Sequence, residues 1–448
     1  MQPAHPFEQG IGMEFYCTDG PSIGGRLRDR FEDFVVEEIT PDGTVLEAKE
    51  WPSETAVGST VSIQGVRSKY VQFVLQKMGL STLDAATIVA AAVKVSRHLV
   101  TYAGLKDKRA LTVQAMSLPA QAFESLCRIH LSRIAVREPQ YVRRPIQIGD
   151  LWGNRFTIVL KDLKVDCDIA STLADSLRGR PILNYFGVQR FGVARPFTHL
   201  IGKSLVKKNY EEAVRLMLST TRDFEWQGPA EEELQTFEGV PFSEDSSDRI
   251  TKGARYEQAV AQHIIKHPAD YERALARVPP RVLTILVHSY QSYLFNRLLS
   301  LRAKSGLSIS EPAPGDFIIQ LDQTHSGRDS WLFVNDRNLE ERRGLVRSGS
   351  YGLAAPVPGY STKLPPSKQS DLLRKILKDE NLDLKEFRNM NARPLDSPGG
   401  LHLVSIVPTD MHTQCTDSAI VLRFNLRKGS YATVILRELM KTNPMDLA

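Results

Sequence analysis

Residues Gly104 to Ala110 read GLKDKRA, which sets one carboxylate, Asp107, between Lys106 on one side and Lys108 and Arg109 on the other. Cations that close favour the ionised form of an acid, whereas an acid that must donate a proton needs the opposite shift. The setting therefore suits a nucleophilic carboxylate better than a general acid. In an extended loop alternate side chains point to opposite sides, so Lys106 and Lys108 turn away from Asp107 while sharing its field. The same cations can hold phosphates. Arg97, Arg109, Arg133, Arg143 and Arg144 thicken the basic character of this part, and Tyr102, Tyr141, Trp152 and Phe156 add planar faces able to stack on bases. Taken alone, a Lys-Asp-Lys string is more often a solvated turn, and it assigns nothing by itself.

The elements around Asp107 decide how it is presented. LVTYAG and LTVQAMSL read as strands, so Asp107 falls in a connection at a sheet edge. Ahead of them DFVVEEI and TVSIQGV are further short strands, and STLDAATIVAAAVKVS is a helix with Ser81 as N-cap and Asp84 three places on. RFTIVL alternates Phe156, Ile158 and Leu160 onto one side, with Gly153 and Asn154 at its entrance. A helix around Ile169 to Leu177 leads to NYFGVQRFG, dense in aromatics and glycines. From about Thr198 the texture turns helical, with SLVKKNYEEAVRLML and a long segment that stops at Gly306. Short strands DFIIQ and WLFV follow, and APVPGYSTKLPP reads as a long irregular connection. The chain returns to strand, turn and helix in SAIVLRFNLRKGSYATVILRELM, so the middle reads as an insertion.

Bulk properties fit this picture. At 448 residues, a prior of roughly one domain per 150 residues gives about two or three. A hydrophobic fraction of 42% argues against disorder, and 57 basic against 52 acidic residues leave a charge of +5, compatible with a nucleic-acid partner. Cys17, Cys127, Cys167 and Cys415 stand far apart and read as buried thiols in a reducing compartment, with no zinc spacing. His263 and His267 lack a third ligand nearby. Lys203, Lys207 and Lys208 make a basic helix face of the kind that is usually solvated. The N-terminus shows no signal-peptide pattern, and IVAAAV is far short of a membrane span. The expectation is a cytoplasmic monomer with no membrane segment.

RFEDFVVEEI, YAGLKDKRALTVQ, GNRF, NYFGVQRFG, HSYQSYLFN and GSYATVILRE, in this order, resemble the signature blocks of the tRNA pseudouridine synthase D (TruD) family. The resemblance implies an α+β fold: a pseudouridine synthase catalytic domain with a mixed, largely antiparallel sheet flanked by helices, interrupted by a second α/β insertion domain. It places the catalytic domain at residues 1–190 and 391–448 and the insertion at 191–390. It implies isomerisation of uridine to pseudouridine in tRNA, typically at position 13, without cofactor or metal. Asp107, matching the aspartate of the G-x-K-D block, would be the nucleophile.

Phe156 and Asn154 match the N-x-F block, Phe156 as a packing partner for a flipped base or as a core residue, Asn154 as the group that holds the loop. Phe34 and Glu38 match the E-D-F-V-V-x-E block, and Phe34 fits core or site equally. Arg28 stands where the family often carries lysine and could pair with Asp107 or a phosphate; the exchange keeps the charge but alters the geometry. Arg190 in NYFGVQRFG is a candidate phosphate contact. Two alternatives stay open. One is an RNA-binding protein with this fold but no turnover. The other is a carboxylate-dependent nucleoside or glycoside hydrolase, which wants a second acid at matched distance; no such pair is identifiable, although Glu32, Asp33 and Glu38 keep the reading open.

Overall fold

The computed structural model describes residues 1–51, 66–129, 131–192, 197–219, 255–321, 330–388, 395–416 and 419–444. TVSIQGV lies outside them except for its last residue. The period-two segments assemble into one sheet of nine strands: β1 (Gly24–Arg26), β2 (Phe34–Ile39), β3 (Tyr70–Met78), β4 (Thr101–Tyr102), β5 (Leu111–Pro119), β6 (Ile134–Val142), β7 (Gly153–Leu163), β8 (Thr409–Cys415) and β9 (Ala419–Arg427). The path runs β8-β9-β7-β2-β5-β3-β6, with β1 beside β7 and β4 beside β5. Strands β2 and β5 run parallel and the other pairings are antiparallel, so the sheet is mixed and largely antiparallel.

Strand β9 pairs with β7 along its length, from Ala419 opposite Lys161 to Arg427 opposite Gly153. The chain thus leaves this sheet after β7 and returns to it at β8. The excursion includes an antiparallel sheet of Phe317–Gln320, Trp331–Phe333, Tyr351–Val357 and Gly400–Leu403. Its helices include Thr198–Val206, Tyr210–Leu218, Pro280–Lys304 and Lys368–Asp379.

Helix α1 (Thr82–Ala92) starts as its sequence dictates. The Ser81 hydroxyl accepts from the Asp84 N–H at 3.0 Å, and the Asp84 carboxylate accepts from the Ser81 N–H at 3.3 Å. Its alanines, Ala85, Ala86 and Ala90, pack on Val71, Phe73 and Leu75 of β3.

On one face of the large sheet Phe156, Ile158 and Leu160 are buried, beside their register partners Phe424, Leu422 and Ile420 on β9. Toward the Gly153 end this face changes character. Glu38 stands opposite Asn154, Lys77 stands opposite Thr112, and Gln114 follows Thr112 on the same side of β5. Glu38, Lys77, Thr112 and Gln114 are all buried. A polar patch inside an otherwise apolar face needs partners, and the GLKDK connection supplies them to Glu38, Lys77 and Gln114.

Four expectations are corrected. Cys167 and Cys415 are not separate thiols but form a disulfide with Cα atoms 5.9 Å apart. They lie 248 residues apart in sequence, and folding brings the Cys167–Asp175 helix against β8. SLVKKNYEEAVRLML is broken between its helices: Lys208 takes φ of +57°, and the Asn209 side chain caps the second one by accepting from the Glu212 N–H at 3.2 Å. The first residues of APVPGYSTKLPP belong to strand Tyr351–Val357. Pro356 is tolerated there because pairing with Phe317–Gln320 stops at Ala354. Finally, Lys203 and Lys207 are not a solvated face. Lys203 Nζ lies 2.9 Å from the Glu380 carboxylate, and Lys207 Nζ donates to the Glu380 and Asn381 carbonyls at 2.7 and 2.8 Å. They cap the end of helix Lys368–Asp379, where cations are favoured.

Candidate active site

Strand β4 is two residues long, so the chain leaves the sheet at Tyr102 and crosses the polar patch before re-entering as β5. The crossing is held from below. Gln114 Nε2 donates to the Gly104 carbonyl at 3.1 Å, and the Lys106 N–H donates to Thr82 Oγ1 at 2.9 Å. Thr82 in turn donates to Gln114 Oε1 at 3.0 Å. Lys106 Nζ lies 2.7 Å from the Glu38 carboxylate, with the two side chains 2% and 1% exposed. The other Glu38 oxygen accepts from the Ala115 N–H at 3.1 Å. Lys77 Nζ donates to the Asp107 carbonyl at 2.9 Å and to the Leu80 carbonyl at 2.6 Å. Lys106 points into the sheet, and the Asp107 carboxylate is left 39% exposed.

A fully buried lysine is uncommon. Burial pushes the Lys77 ammonium down to about 8, opposed by the charges of Asp107 and Asp84 and assisted by Lys106. Lys77 was not singled out from the sequence, nor were Thr82 and Gln114. A signal existed: in YVQFVLQKM the phase Val71, Phe73, Leu75 is apolar, and Lys77 is a charge in the same phase.

Arg28 arrives from the β1–β2 connection with φ of +62°, a conformation that non-glycine residues seldom adopt. Its guanidinium lies over the Phe34 ring at 4.4 Å and 3.9 Å from the Asp107 carboxylate, and its side chain is 7% exposed. Burial holds its pKa below the usual arginine value against the pull of Asp107. Arg28, Asp29, Arg30, Phe31, Glu32 and Arg109 line an open cavity of about 370 Å³ beside Asp107. The structure thus brings Asp107, Arg28 and Phe34 together.

Phe156 is buried in the face behind them, edge-on to Phe34 at 6.3 Å and stacked on Phe424 at 5.7 Å. Asn154 is on the same face, and its Oδ1 is buried without a hydrogen bond among the described residues. Arg190 does not join this group. It is half-buried on the turn Val188–Phe191, 5.3 Å over the Phe186 ring. Burial, with Arg190 adding to it, pushes His402 down to about 4, so that ring is neutral where it stacks on Phe186 at 4.6 Å. Asp33 is paired with Lys161 at 2.7 Å and Glu38 with Lys106, so neither is free to serve as a second hydrolytic acid; Glu32 lines the cavity. His263 Nε2 contacts the Asp270 carboxylate at 3.1 Å.

A half-exposed acid on a pinned connection above a mixed sheet, beside an arginine-lined cavity, belongs with the pseudouridine synthase fold. The chain matches the family model tRNA pseudouridine synthase D (TruD) over residues 10–439. A protein of Archaeoglobus fulgidus described as "Probable tRNA pseudouridine synthase D" is 32% identical over 440 residues, 97% of this chain and 99% of the relative. One of Methanosarcina acetivorans with the same description is 29% identical over 470 residues and the full length of both. A crystal structure from Methanosarcina mazei, described as "Putative tRNA pseudouridine synthase D (TruD)", superposes with a TM-score of 0.78 at 28% identity, covering 99% of each chain. The chain belongs to the tRNA pseudouridine synthase D (TruD) family, and so to the isomerases that act on tRNA. Among the described residues no helix is long and apolar enough to cross a membrane.

Proposed function

We propose that this chain converts uridine to pseudouridine in tRNA, at position 13, with Asp107 as the nucleophile acting on a flipped-out uridine. The observation that carries this reading is the Asp107 carboxylate, half exposed and 3.9 Å from Arg28 of a cavity that Arg30 and Arg109 also line, on a connection whose backbone is fixed by Lys77, Thr82 and Gln114. Such fixing matters because a reacting oxygen misplaced by about 1 Å costs about a hundredfold in rate.

In the reaction the N1–C1′ bond breaks, the uracil turns, and a C5–C1′ bond forms. C5 loses its hydrogen as a proton and N1 gains one, with no change of oxidation state. Asp107 serves by attack on C1′, by attack on the ring, or by assisting proton removal toward a glycal, and each route uses the ionised carboxylate. Arg28 supplies a counter-charge at 3.9 Å without the short contact that would tie the oxygen up. Phe34 and Phe156 form the apolar backing of the pocket, and Asn154 lies on the same face with a buried Oδ1 that has no hydrogen bond among the described residues. Arg190 is assigned to the RNA backbone away from the uridine. In this reading residues 191–390 are an insertion into a catalytic domain formed by 1–190 and 391–448. Everting a nucleotide costs a few kcal/mol, which phosphate contacts at Arg30 and Arg109 help to offset.

The test is product analysis on tRNA transcripts. Pseudouridine mapped to position 13 supports the proposal; an abasic site with free uracil identifies a hydrolase, and tight binding with unchanged uridine identifies a binding protein.

A further inference from the structure

We propose that Leu105 is a wedge, an apolar side chain that enters the RNA base stack and fills the place vacated by the everted uridine. The inference rests on the reading of Asp107 as the acid that meets a flipped base. Leu105 is 68% exposed, whereas Lys106 is 7% exposed and turned into the sheet toward Glu38. Asp107 follows with its carboxylate 39% exposed. This in-out alternation puts Leu105 and Asp107 on the outward side of the same connection.

A single exposed leucine ordinarily needs no explanation. Leu105 differs because the backbone on both sides of it is anchored. The Gly104 carbonyl is held by Gln114, the Lys106 N–H by Thr82 and the Asp107 carbonyl by Lys77, all three anchors being buried side chains. Turning Leu105 inward breaks these bonds, so the connection pays no further ordering entropy to present it. Two residues of extended chain span about 7 Å, and one base layer is about 3.4 Å thick. A uridine that reaches the Asp107 carboxylate therefore leaves its gap within reach of a leucine side chain at 105. A Cβ built on Gly104 meets nothing within 4 Å, so the backbone next to Leu105 is uncrowded. Phe31, 39% exposed, stands at the cavity as a second apolar group. Apolar wedges between base steps are a general device for holding a nucleic acid distorted.

The experiment uses the full chain with a tRNA transcript carrying 2-aminopurine next to the target uridine, whose fluorescence reports its stacking. Wild type, Leu105→Ala and Leu105→Met are compared for tRNA affinity, fluorescence change and single-turnover rate. The proposal predicts affinity for Leu105→Ala within about twofold of wild type, loss of most of the fluorescence change, and a rate about tenfold lower, a barrier increase of about 1.4 kcal/mol. Leu105→Met, which keeps an apolar chain of similar size, should recover most of both signals. A Leu105→Ala rate within about twofold of wild type overturns the wedge, as does a slow variant with an undiminished fluorescence change. The fluorescence readout needs no chemistry, so an Asp107→Asn variant that stays active would refute the nucleophile while leaving the Leu105 result to stand or fall separately.

Discussion

At Asp107 the chemistry depends on residues that never touch the substrate. Lys77 holds the carbonyl of the reacting residue while remaining buried in the sheet, and its proton has a measurable signature. In the folded chain that proton leaves at about 8, against 10.5 ordinarily. Between these values the unfolded chain binds more protons than the folded one, so the Lys77 contribution to stability rises with pH across the window and is lost as pH falls toward 8. Urea denaturation of wild type and Lys77→Met should therefore show the difference shifting in favour of wild type by about 1–3 kcal/mol between pH 8 and 10. A difference that stays constant would mean that Lys77 titrates normally. For Arg28, loss of the cation and of its contact with Phe34 in Arg28→Ala should slow single turnover at least about tenfold and cost about 1–2 kcal/mol of stability. Both effects are read from stopped-time assays and melting curves. The acid itself was legible in GLKDKRA because its charged neighbours are adjacent in sequence. Lys77, Thr82 and Gln114 were not, since their partnership is set by strand register and by a helix N-terminus meeting a loop. The left-handed backbone at Arg28 also left no mark in residue type.

Strands and caps were legible wherever the signal was local. Ser81 and Asp84 form the expected cap, and Phe156, Ile158 and Leu160 face one side, as their spacing of two requires. The same regularity made Phe156 ambiguous, because a core position and a pocket floor share one periodicity. Strand Tyr351–Val357 was partly hidden by its proline, and the break at Lys208 by continuous helical texture. Gly153, where β7 opens next to Asn154, carries a prediction at this scale. A Cβ there would sit 2.0 Å from the Leu426 carbonyl oxygen on β9. That contact is backbone and cannot swing away, so Gly153→Ala must part the two strands. The expected cost is about 2–4 kcal/mol with a lowered Tm, beyond a usual overpacking penalty. A melting curve that matches wild type would show that the strand ends give way freely.

Across the whole molecule, the returning strands β8 and β9 close the sheet, and the Cys167–Cys415 disulfide ties β8 to the helix that follows β7. Sequence could suggest an insertion because the terminal segment resembles the opening half in texture. It could not pair two cysteines 248 residues apart. A cross-link over so long a loop limits the unfolded chain, by up to about 5 kcal/mol if entropy alone acts. Cys415 is exposed, so a mild reductant should reach it. Reduction, or a Cys415→Ser variant, should lower the Tm while leaving tRNA turnover at moderate temperature close to wild type, because the link lies outside the Asp107 connection. Equal melting in oxidised and reduced protein would show that the link carries no stability.

The fold, the pinned connection and the basic cavity acquire their meaning from a single side chain, and tritium release from tRNA labelled at uridine C5 tests it most directly. Wild type should release tritium in step with pseudouridine formation. Asp107→Asn, nearly identical in shape and still bound to tRNA, should release none above background. Release by Asp107→Asn at the wild-type rate would contradict the account.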